Sequence, residues 1–581
     1  MNVNRILLVS FSGPFKDKQI IPLNKLDRID VAKAVSFLNH KVRLGQLDSI
    51  TETLNFWFGK STDEIDSIFT SITEYYQKIG FTSKQLTVLN LWSNFTLMDL
   101  LLSQSSDQEN THDSQDFNKN LFLNYLQVND QFISKSDSLA NEIKSEDYRR
   151  IEDYIARFHI SNSINHFEIT YTDVSHTLIS NFYKSFLLLS FLESEYNNLL
   201  KVFLADYNVC SKEDFLKSII PIASHAINGE VSDSGIQILK TEGDKSTIFL
   251  DLLIANSETT VKSLEDFVHL RSNPLFKIEE DEYLIIDRGL AINRLFNSIF
   301  FDILKIIKDK RVEIKRDFFG IYTYDFIEKY LSYTVLDKIF IKRNFKVFTG
   351  EYINSTYDVD TEPDYYVRNG KKILLFEIKG SVIRGDVKQS FSWPKIEEEV
   401  RKKFYGDKKD KKAVLQLVER IEILVEEKDQ RGFYDKSRPD NFIVTPILIV
   451  VDHSLSTIGI NHILNTWFQE EISKSKILSP IKHRIKKLVL INIDSLIVYS
   501  EYLKDKSGSF EDILDSYIRR TDISKIDSIL KKYFPNGDVA QYELEQRIND
   551  VLIPFSKHIE EKVGKPKMIK EFLGFAEKLF K

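Results

Sequence analysis

The spacing of apolar residues divides the chain into a long helical part and a shorter part in which strands alternate with helices. Apolar residues recur at i, i+3 and i+4 over Val31 to Phe56, Leu178 to Leu204 and Leu290 to Ile307, which is typical of amphipathic helices. Only four of the twelve prolines, which interrupt helices, lie in the first 362 residues. The N-terminal half is therefore predicted to be mainly helical, after a short first strand over Arg5 to Phe11.

The pattern changes near residue 320, where short apolar runs with turn signals between them replace the helical spacing. Tyr322 to Phe340 is spaced as a helix, and Ala413 to Val425 as another. The predicted strands are Phe345 to Ile353, Asp364 to Val367, Lys371 to Lys379, Phe442 to Val451 and Leu488 to Ile493. Asn369-Gly370 is a hairpin signal because both residues tolerate positive φ. Strands that alternate with helices indicate an α/β unit, although Pro446 cannot donate to a sheet ladder.

Length and local composition predict four domains, since 581 residues are too many for one hydrophobic core. Residues 1–115 are a mainly helical domain with a short first strand, and residues 116–319 a helical regulatory or oligomerisation region. Residues 320–500 form the α/β domain, and residues 501–581 a helical C-terminal region. The stretch from Ser103 to Asp116 contains no apolar residue and is interpreted as a linker.

Charge and cysteine content narrow the classes of protein. One cysteine, Cys210, excludes an intrachain disulfide and fits a reducing cytosol. No stretch reaches the roughly 18 apolar residues of a membrane span, so we expect a cytoplasmic protein with no membrane partner. The net charge is −7, but residues 321–500 hold 30 Lys and Arg against 26 Asp and Glu, a balance of +4. A basic segment inside an acidic chain points weakly to a polyanion site.

Three side chains of one predicted hairpin carry the candidate chemistry. Side chains alternate along a strand, so Glu377 and Lys379 point the same way while Ile378 points into the core. The Asn-Gly turn folds Asp364 back beside them. Two carboxylates suit Mg²⁺ or Mn²⁺, with the main-chain carbonyl of Ile378 as a further ligand. Such a cation lowers the pKa of a bound water, and Lys379 is positioned to orient or deprotonate that water or to hold a phosphate.

Pro363-Asp364, a short hairpin and then Glu377-Ile378-Lys379 resemble the signature of the PD-(D/E)XK nuclease superfamily. That superfamily includes restriction endonucleases, recombination nucleases and many phage-defence effectors. The resemblance covers roughly 180 of the 581 residues. It implies a restriction-endonuclease-like α/β core of a helix, three antiparallel strands, a helix and a strand, embedded in a mainly helical multidomain chain.

The resemblance also implies two further site residues. Many members carry an acidic residue on the first core helix, for which Glu328 is the best candidate and Asp325 the next. Some members carry a glutamine on the helix after the third strand, and Gln416 matches it. The aromatic residue that follows this glutamine by four positions in some relatives is Arg420 here, which puts the match of Gln416 in doubt.

A basic run beside the hairpin is a candidate nucleic-acid contact. It contains Lys402, Lys403, Lys408, Lys409, Lys411 and Lys412, with Phe404 and Tyr405 among them. Lysines of this kind contact phosphates and aromatic rings stack on bases, but a solvated loop explains the run equally well. The same holds more strongly for the basic residues from Lys482 to Lys487. Asp358 and Asp360 are either ligands of a second metal or solvated loop acids.

The sequence therefore predicts a metal-dependent deoxyribonuclease that uses Mg²⁺ or Mn²⁺ and has DNA as its partner. Its regulation by the helical N-terminal region and a role in anti-phage defence follow from the resemblance alone. An RNA nuclease with the same residues is an alternative, and so is a non-catalytic nucleic-acid-binding or scaffold protein. The helical regions leave room for a homo-oligomer or a partner protein.

Overall fold

A computed structural model describes most of the chain as helices around small sheets. The described residues are 7–47, 49–59, 61–103, 114–145, 151–165, 174–228, 236–240, 250–255, 267–294, 297–340, 345–357, 362–407, 409–426, 434–505, 509–524 and 547–564. They divide into two compact units. Unit 1 comprises Met1–Asn141, Ile169–Asn181 and Phe203–Asp302, and unit 2 comprises Glu142–Glu168, Phe182–Val202 and Ile303–Lys581.

The first part of the chain, to residue 310, is mainly helical. Its helices are α1 (Arg28–Arg43), α2 (Ile50–Phe58), α3 (Thr62–Lys78), α4 (Leu91–Ser103), α5 (Ser114–Ser145), α6 (Ile151–Ser163), α7 (Val174–Glu195), α8 (Asn197–Asp206), α9 (Lys212–Asn228), α10 (Val268–Ser272), α11 (Arg288–Asn293) and α12 (Asn297–Lys310). Its strands are β1 (Leu7–Leu8), β2 (Leu86–Thr87), β3 (Ile238–Lys240), β4 (Leu275–Lys277) and β5 (Glu282–Ile285). The predicted helical character of this part is confirmed.

Each predicted helical stretch of this part is two helices rather than one. Val31 to Phe56 is interrupted between α1 and α2, where Gly45 and Leu47 adopt positive φ. Ser49 then begins α2 with a reciprocal capping box to Glu52, which satisfies helix donors that would otherwise lack partners. Leu178 to Leu204 extends over α7 and α8, and Leu290 to Ile307 over α11 and α12.

Unit 1 contains small sheets that the apolar spacing did not indicate. The first predicted strand is only β1, which pairs in parallel with β2. The antiparallel sheet β3-β5-β4 was missed because each strand has three or four residues, too few for a period to emerge. Beside it, Arg43 binds the buried carboxylate of Asp287 through Nε and one terminal nitrogen, at 2.7 and 2.8 Å.

Unit 2 is built on a five-stranded mixed sheet. Its strands are β6 (Lys346–Thr349), β7 (Tyr365–Asn369), β8 (Lys372–Lys379), β9 (Ile443–Val450) and β10 (Val489–Asn492), and its helices after residue 317 are α13 (Phe318–Gly320), α14 (Ser332–Phe340), α15 (Gly350–Tyr357), α16 (Gly385–Lys388), α17 (Trp393–Phe404), α18 (Ala413–Glu426), α19 (Ile460–Lys474), α20 (Ile493–Asp505), α21 (Ser509–Arg520) and α22 (Phe555–Val563). The strand order is β10-β9-β8-β7-β6.

The directions of the strands fix where their ends meet. β6, β7 and β8 are successively antiparallel, whereas β8, β9 and β10 run parallel. The strand predicted over Phe345 to Ile353 corresponds to β6. It is shorter than expected, because the chain turns at Gly350 into α15. All residues of β9 after Ile443 are buried, so helices cover both faces, as parallel strands require.

Pro446 lies inside β9 without breaking the sheet, for a reason that the register supplies. The N–H of Ile443 donates to the carbonyl of Lys371 on the β8 side. Backbone donors alternate between the two edges of a strand, so the nitrogen of Pro446 faces the β10 side. On that side the carbonyl of Val444 accepts a hydrogen bond from the N–H of Lys486 at 2.9 Å, and the continuous pairing with β10 begins only after Pro446. The missing donor of the proline therefore coincides with a gap in the pairing on the β10 side, while the pairing with β8 continues through this position.

A π-helix is the most unusual element of unit 2. It spans Ile321–Leu331 and continues α13 into α14 without interruption. At its end the N–H of Ser332 donates to the carbonyl of Ile327, five residues earlier. Such segments are rare and occur frequently at functional sites. Among all described residues, no helix is long and apolar enough to cross a membrane.

Candidate active site

The β7–β8 hairpin brings the predicted carboxylates together. Tyr365 pairs with Phe376, which places Asp364 opposite Glu377 at the next position. The N–H of Ile378 donates to Oδ2 of Asp364 at 2.6 Å. Because the N–H and C=O of one residue point to the same edge of a strand, the carbonyl of Ile378 also faces Asp364. The three expected oxygen ligands therefore lie along one edge of the hairpin.

Glu377 and Lys379 form an ion pair at the end of β8. Nζ of Lys379 lies 2.7 Å from Oε1 of Glu377. The Glu377 side chain is 1% exposed and that of Lys379 is 15% exposed. This is not an ion pair on a solvated strand face, where such contacts contribute little. Because both groups are largely shielded from water, their ionised forms need nearby opposite charges and hydrogen bonds to be stable.

The π-helix contributes Glu328 to the same place. Oε1 of Glu328 accepts a hydrogen bond from the N–H of Gly380 at 3.1 Å, directly after Lys379. The close approach favours glycine, since a Cβ at Gly380 would lie 3.0 Å from the carbonyl oxygen of Thr323 in the π-helix. The other acidic candidate, Asp325, is paired with Arg316 instead. Of the two, the structure places Glu328 with the hairpin residues.

Arg420 belongs to the site, although sequence reasoning treated it only as a departure from the family pattern. Its Nε donates to the carbonyl oxygen of Glu362 at 2.7 Å and lies 3.4 Å from Oε2 of Glu377. Gln416 is four residues earlier on α18 and therefore on the same helix face. Its Oε1 is buried and accepts no hydrogen bond from the described residues. The spacing of Gln416 and Arg420 was the only available signal.

Three carboxylates and two cationic side chains lie close together in the site, and burial and the neighbouring charges shift several of their pKa values. Burial raises the pKa of Asp364 to about 7, and the charge of Glu377 acts in the same direction. Burial also raises the pKa of Glu328. Burial alone would lower the pKa of Lys379, but the carboxylates around it outweigh burial and raise that pKa. The raised carboxyl pKa values therefore reflect burial first, and the neighbouring charges modify that effect.

The donor set fits a divalent cation. Oε2 of Glu377 is buried and accepts no hydrogen bond from the described residues, and its nearest cationic group is that of Arg420, at 3.4 Å. No group of three or more His, Cys, Asp or Glu side chains within the described ranges is arranged to hold a metal ion. A cation at this place would therefore use two carboxylates, the carbonyl of Ile378 and water, a combination that Mg²⁺ accepts.

The basic run near the site is largely paired with acidic residues. Lys403 contacts Glu399 at 3.4 Å, Lys411 contacts Glu419 at 2.6 Å, and Lys412 contacts Asp410 at 2.7 Å. Lys402 and Lys409 are exposed. Lys408 lies outside the described residues, as do Asp358, Asp360 and most of the predicted linker. The pairing agrees better with a solvated surface than with a dedicated phosphate site.

The aromatic residues within this run do not face solvent as stacking platforms. Phe404 is completely buried. Tyr405 packs edge-on against Trp467 and its hydroxyl donates to Glu471 at 2.8 Å. The second basic stretch is similar, because Lys486 pairs with Asp515 and Lys487 lies 2.9 Å from Asp522.

Comparisons of the chain with family models, with curated proteins and with solved structures found no match. The candidate site is therefore defined by the geometry of unit 2 and by the chemistry of its residues.

Proposed function

We propose that the chain is a metal-dependent nuclease that hydrolyses DNA phosphodiester bonds. One observation carries the proposal: Asp364, Glu377, Lys379 and Glu328 come from separate strands and a π-helix and meet at one end of a buried hairpin. Burying several charges together is costly unless they serve one another or a ligand, and perturbed carboxyl groups of this kind cluster at functional sites.

The arrangement of elements supports the PD-(D/E)XK type. A helix that ends at Phe340 precedes three antiparallel strands, β6 to β8, and α18 precedes β9, which runs parallel to β8. This is the order that the resemblance implies, with α15, α16 and α17 as additional helices. Asp364 directly precedes β7, and Glu377 and Lys379 lie on β8, which is the order of the signature.

The residues divide the chemical work between them. A divalent cation held by Asp364, Glu377 and the Ile378 carbonyl would supply Lewis-acid activation of the phosphate and of a water. Lys379, whose pKa is raised, is protonated in the cation-free site and donates hydrogen bonds to the water or to a phosphate oxygen. Arg420 is a positioning residue, since it links Glu377 to the main chain before Asp364.

Cleavage assays with matched variants test the proposal. The full chain is incubated with linear DNA and with RNA in Mg²⁺, in Mn²⁺ and in EDTA. Lys379→Ala and Glu377→Ala are expected to lower the cleavage rate by about 100-fold or more, because each removes a group that stabilises the transition state. Lys395→Ala and Glu398→Ala remove exposed charges of the same unit and should leave the rate unchanged.

The outcomes separate the three functions that the sequence left open. Cleavage of RNA but not of DNA would make RNA the substrate and would leave the assignment of the site residues unchanged. Activity that survives both Lys379→Ala and Glu377→Ala would contradict the site itself. A wild-type chain that binds nucleic acid without cutting either polymer in Mg²⁺ or Mn²⁺ would support the non-catalytic alternative.

A further inference from the structure

Exposed apolar side chains of unit 2 gather around the candidate site. Among the described residues of this unit, the large hydrophobic side chains that are exposed are Phe319, Tyr324, Tyr352 and Val382, each 48% or 49% accessible. We call these four residues the apolar rim. Scattered surface hydrophobic residues need no explanation, but a group beside a polar site marks a binding surface.

The segments that carry the apolar rim all touch the catalytic residues. Phe319 and Tyr324 precede Glu328 by nine and four residues on the helix that contains the π-segment. Tyr352 is on α15, whose first residue, Gly350, donates its N–H to the carbonyl of Asp364 at 2.9 Å. Val382 follows the end of β8 by three residues.

The three segments also contact one another. Thr323 of the π-helix lies against Gly380, just before Val382. Lys329 of the π-helix forms an ion pair with Glu351 of α15. The segments that carry the apolar rim are therefore in contact with one another beside the site.

The two cationic side chains that lie near the Tyr324 ring are each paired with a carboxylate. Nζ of Lys329 lies 4.4 Å from the centre of the Tyr324 ring, within cation–π range, and pairs with Glu351. Arg316, also near this ring, pairs with Asp325. A ligand of the apolar rim would thus gain its affinity from ring contacts more than from unpaired positive charge.

We propose that the apolar rim binds the unpaired bases of a single-stranded nucleic acid as the strand enters the site. Every base has a face that stacks on an aromatic ring, whatever the sequence. In a duplex those faces are covered by neighbouring base pairs, so surface tyrosines cannot reach them. The placement at the site rests on the proposed nuclease function, and it deepens that function by naming single strands or unpaired ends as the substrate class.

Binding measurements without metal test this inference apart from cleavage. Fluorescence anisotropy in EDTA follows the full chain binding a labelled DNA strand of about 16 nucleotides, and the same strand in a duplex. The variant Tyr324→Ala/Tyr352→Ala removes two rings, and Tyr324→Phe/Tyr352→Phe keeps them. Phe301→Ala is the matched control, because Phe301 is 61% exposed but belongs to unit 1.

The single strand is expected to bind about tenfold or more tightly than the duplex. The double alanine variant should weaken that binding by about tenfold or more, since each stacked base contributes substantially. The double phenylalanine variant and Phe301→Ala should bind as wild type does. Affinity should also fall only weakly with salt, because few phosphates are neutralised.

Several results would overturn the inference. Equal binding of duplex and single strand would do so, as would equal losses in the alanine and phenylalanine variants or no binding of either form. The last result would leave an apolar partner such as a protein as the occupant of the apolar rim. Cleavage of duplex DNA as fast as single-stranded DNA would contradict this inference but support the proposed nuclease function. Binding that depends on the two rings but is not followed by cleavage would support the role of the apolar rim and contradict the nuclease function.

Discussion

The protonation state of Asp364 depends on the surrounding fold. It accepts a hydrogen bond from Ile378, which favours the ionised form, but burial and the charge of Glu377 outweigh that bond. The pKa of about 7 means that the folded, cation-free protein holds a proton that the unfolded chain releases near pH 4. A divalent cation replaces that proton, so binding of the cation should weaken as the pH falls below about 7.

Asp364→Asn should raise the free energy of unfolding at about pH 8 by roughly 2–4 kcal/mol in EDTA. The folded-state pKa is raised, so stability is lost as the pH rises from about 4 to about 7, and the asparagine variant avoids that loss. At about pH 4 the two proteins should be equally stable. Chemical denaturation at both pH values measures the difference, and a variant that is less stable at both would contradict the assigned environment.

The contacts of Arg420 could not be predicted from its position in the sequence. The alternation of a strand was enough to place Glu377 and Lys379 on one face. Nothing in the local pattern around Arg420 indicates that its guanidinium reaches Glu377 and the carbonyl of Glu362. That contact depends on how α18 lies against β8, which is a property of packing.

At the scale of elements, β7 to β10 were predictable because each contains a run of buried apolar residues, whereas β6 is only half-buried and shorter than its predicted strand. The predicted strands at Lys371–Lys379 and Phe442–Val451 differ from β8 and β9 by one residue at each affected end. The π-helix was not predictable, because its apolar spacing over Tyr322 to Phe340 is compatible with an ordinary helix. The π-helix lies against the end of β8 at Gly380, whose N–H donates to Glu328.

Gly380→Ala should separate the π-helix from the end of β8. The new Cβ would lie 3.0–3.1 Å from backbone atoms of Thr323, and relieving such overpacking costs about 1–3 kcal/mol. We expect lower stability and a weaker affinity for Mn²⁺, measured by calorimetry, because Glu328 loses its bond to the N–H of residue 380.

Gly320→Ala is the control for this change, because the nearest atom to its Cβ is 3.6 Å away. Gly320 lies on the same helix with ordinary helical φ and ψ, where alanine is the more favourable residue. Its stability and Mn²⁺ affinity should equal or exceed those of the wild type. If Gly380→Ala behaved like Gly320→Ala, the contact between the π-helix and β8 would not position the site.

At the scale of the whole molecule, the candidate ligands all come from unit 2. Mn²⁺ should therefore slow amide hydrogen exchange at the end of the hairpin, over residues 362–380, and in the π-helix. Exchange in the sheet β3-β5-β4 of unit 1 should stay unchanged. Glu377→Ala should abolish the protection, and protection that appears instead in unit 1 would place the cation elsewhere.

The division of the chain into functional domains stays a prediction. The compact units draw on separate stretches of sequence, with residues 142–168 and 182–202 joining the C-terminal part. Contacts of this kind link residues far apart along the chain, and neither composition nor local spacing records them. Control of the proposed nuclease activity by the helical N-terminal region also stays a prediction for the same reason.

The sequence by itself determined the hairpin and the charged side chains that it brings together. Strand alternation, an Asn-Gly turn and an apolar run placed Asp364, Glu377 and Lys379 together, since these are local constraints on the backbone. Only the tertiary structure decided which further groups join them. Glu328 and Arg420 come from helices at least 40 residues away from the hairpin residues they contact, and the burial that raises the pKa of Asp364 exists only once those helices have packed.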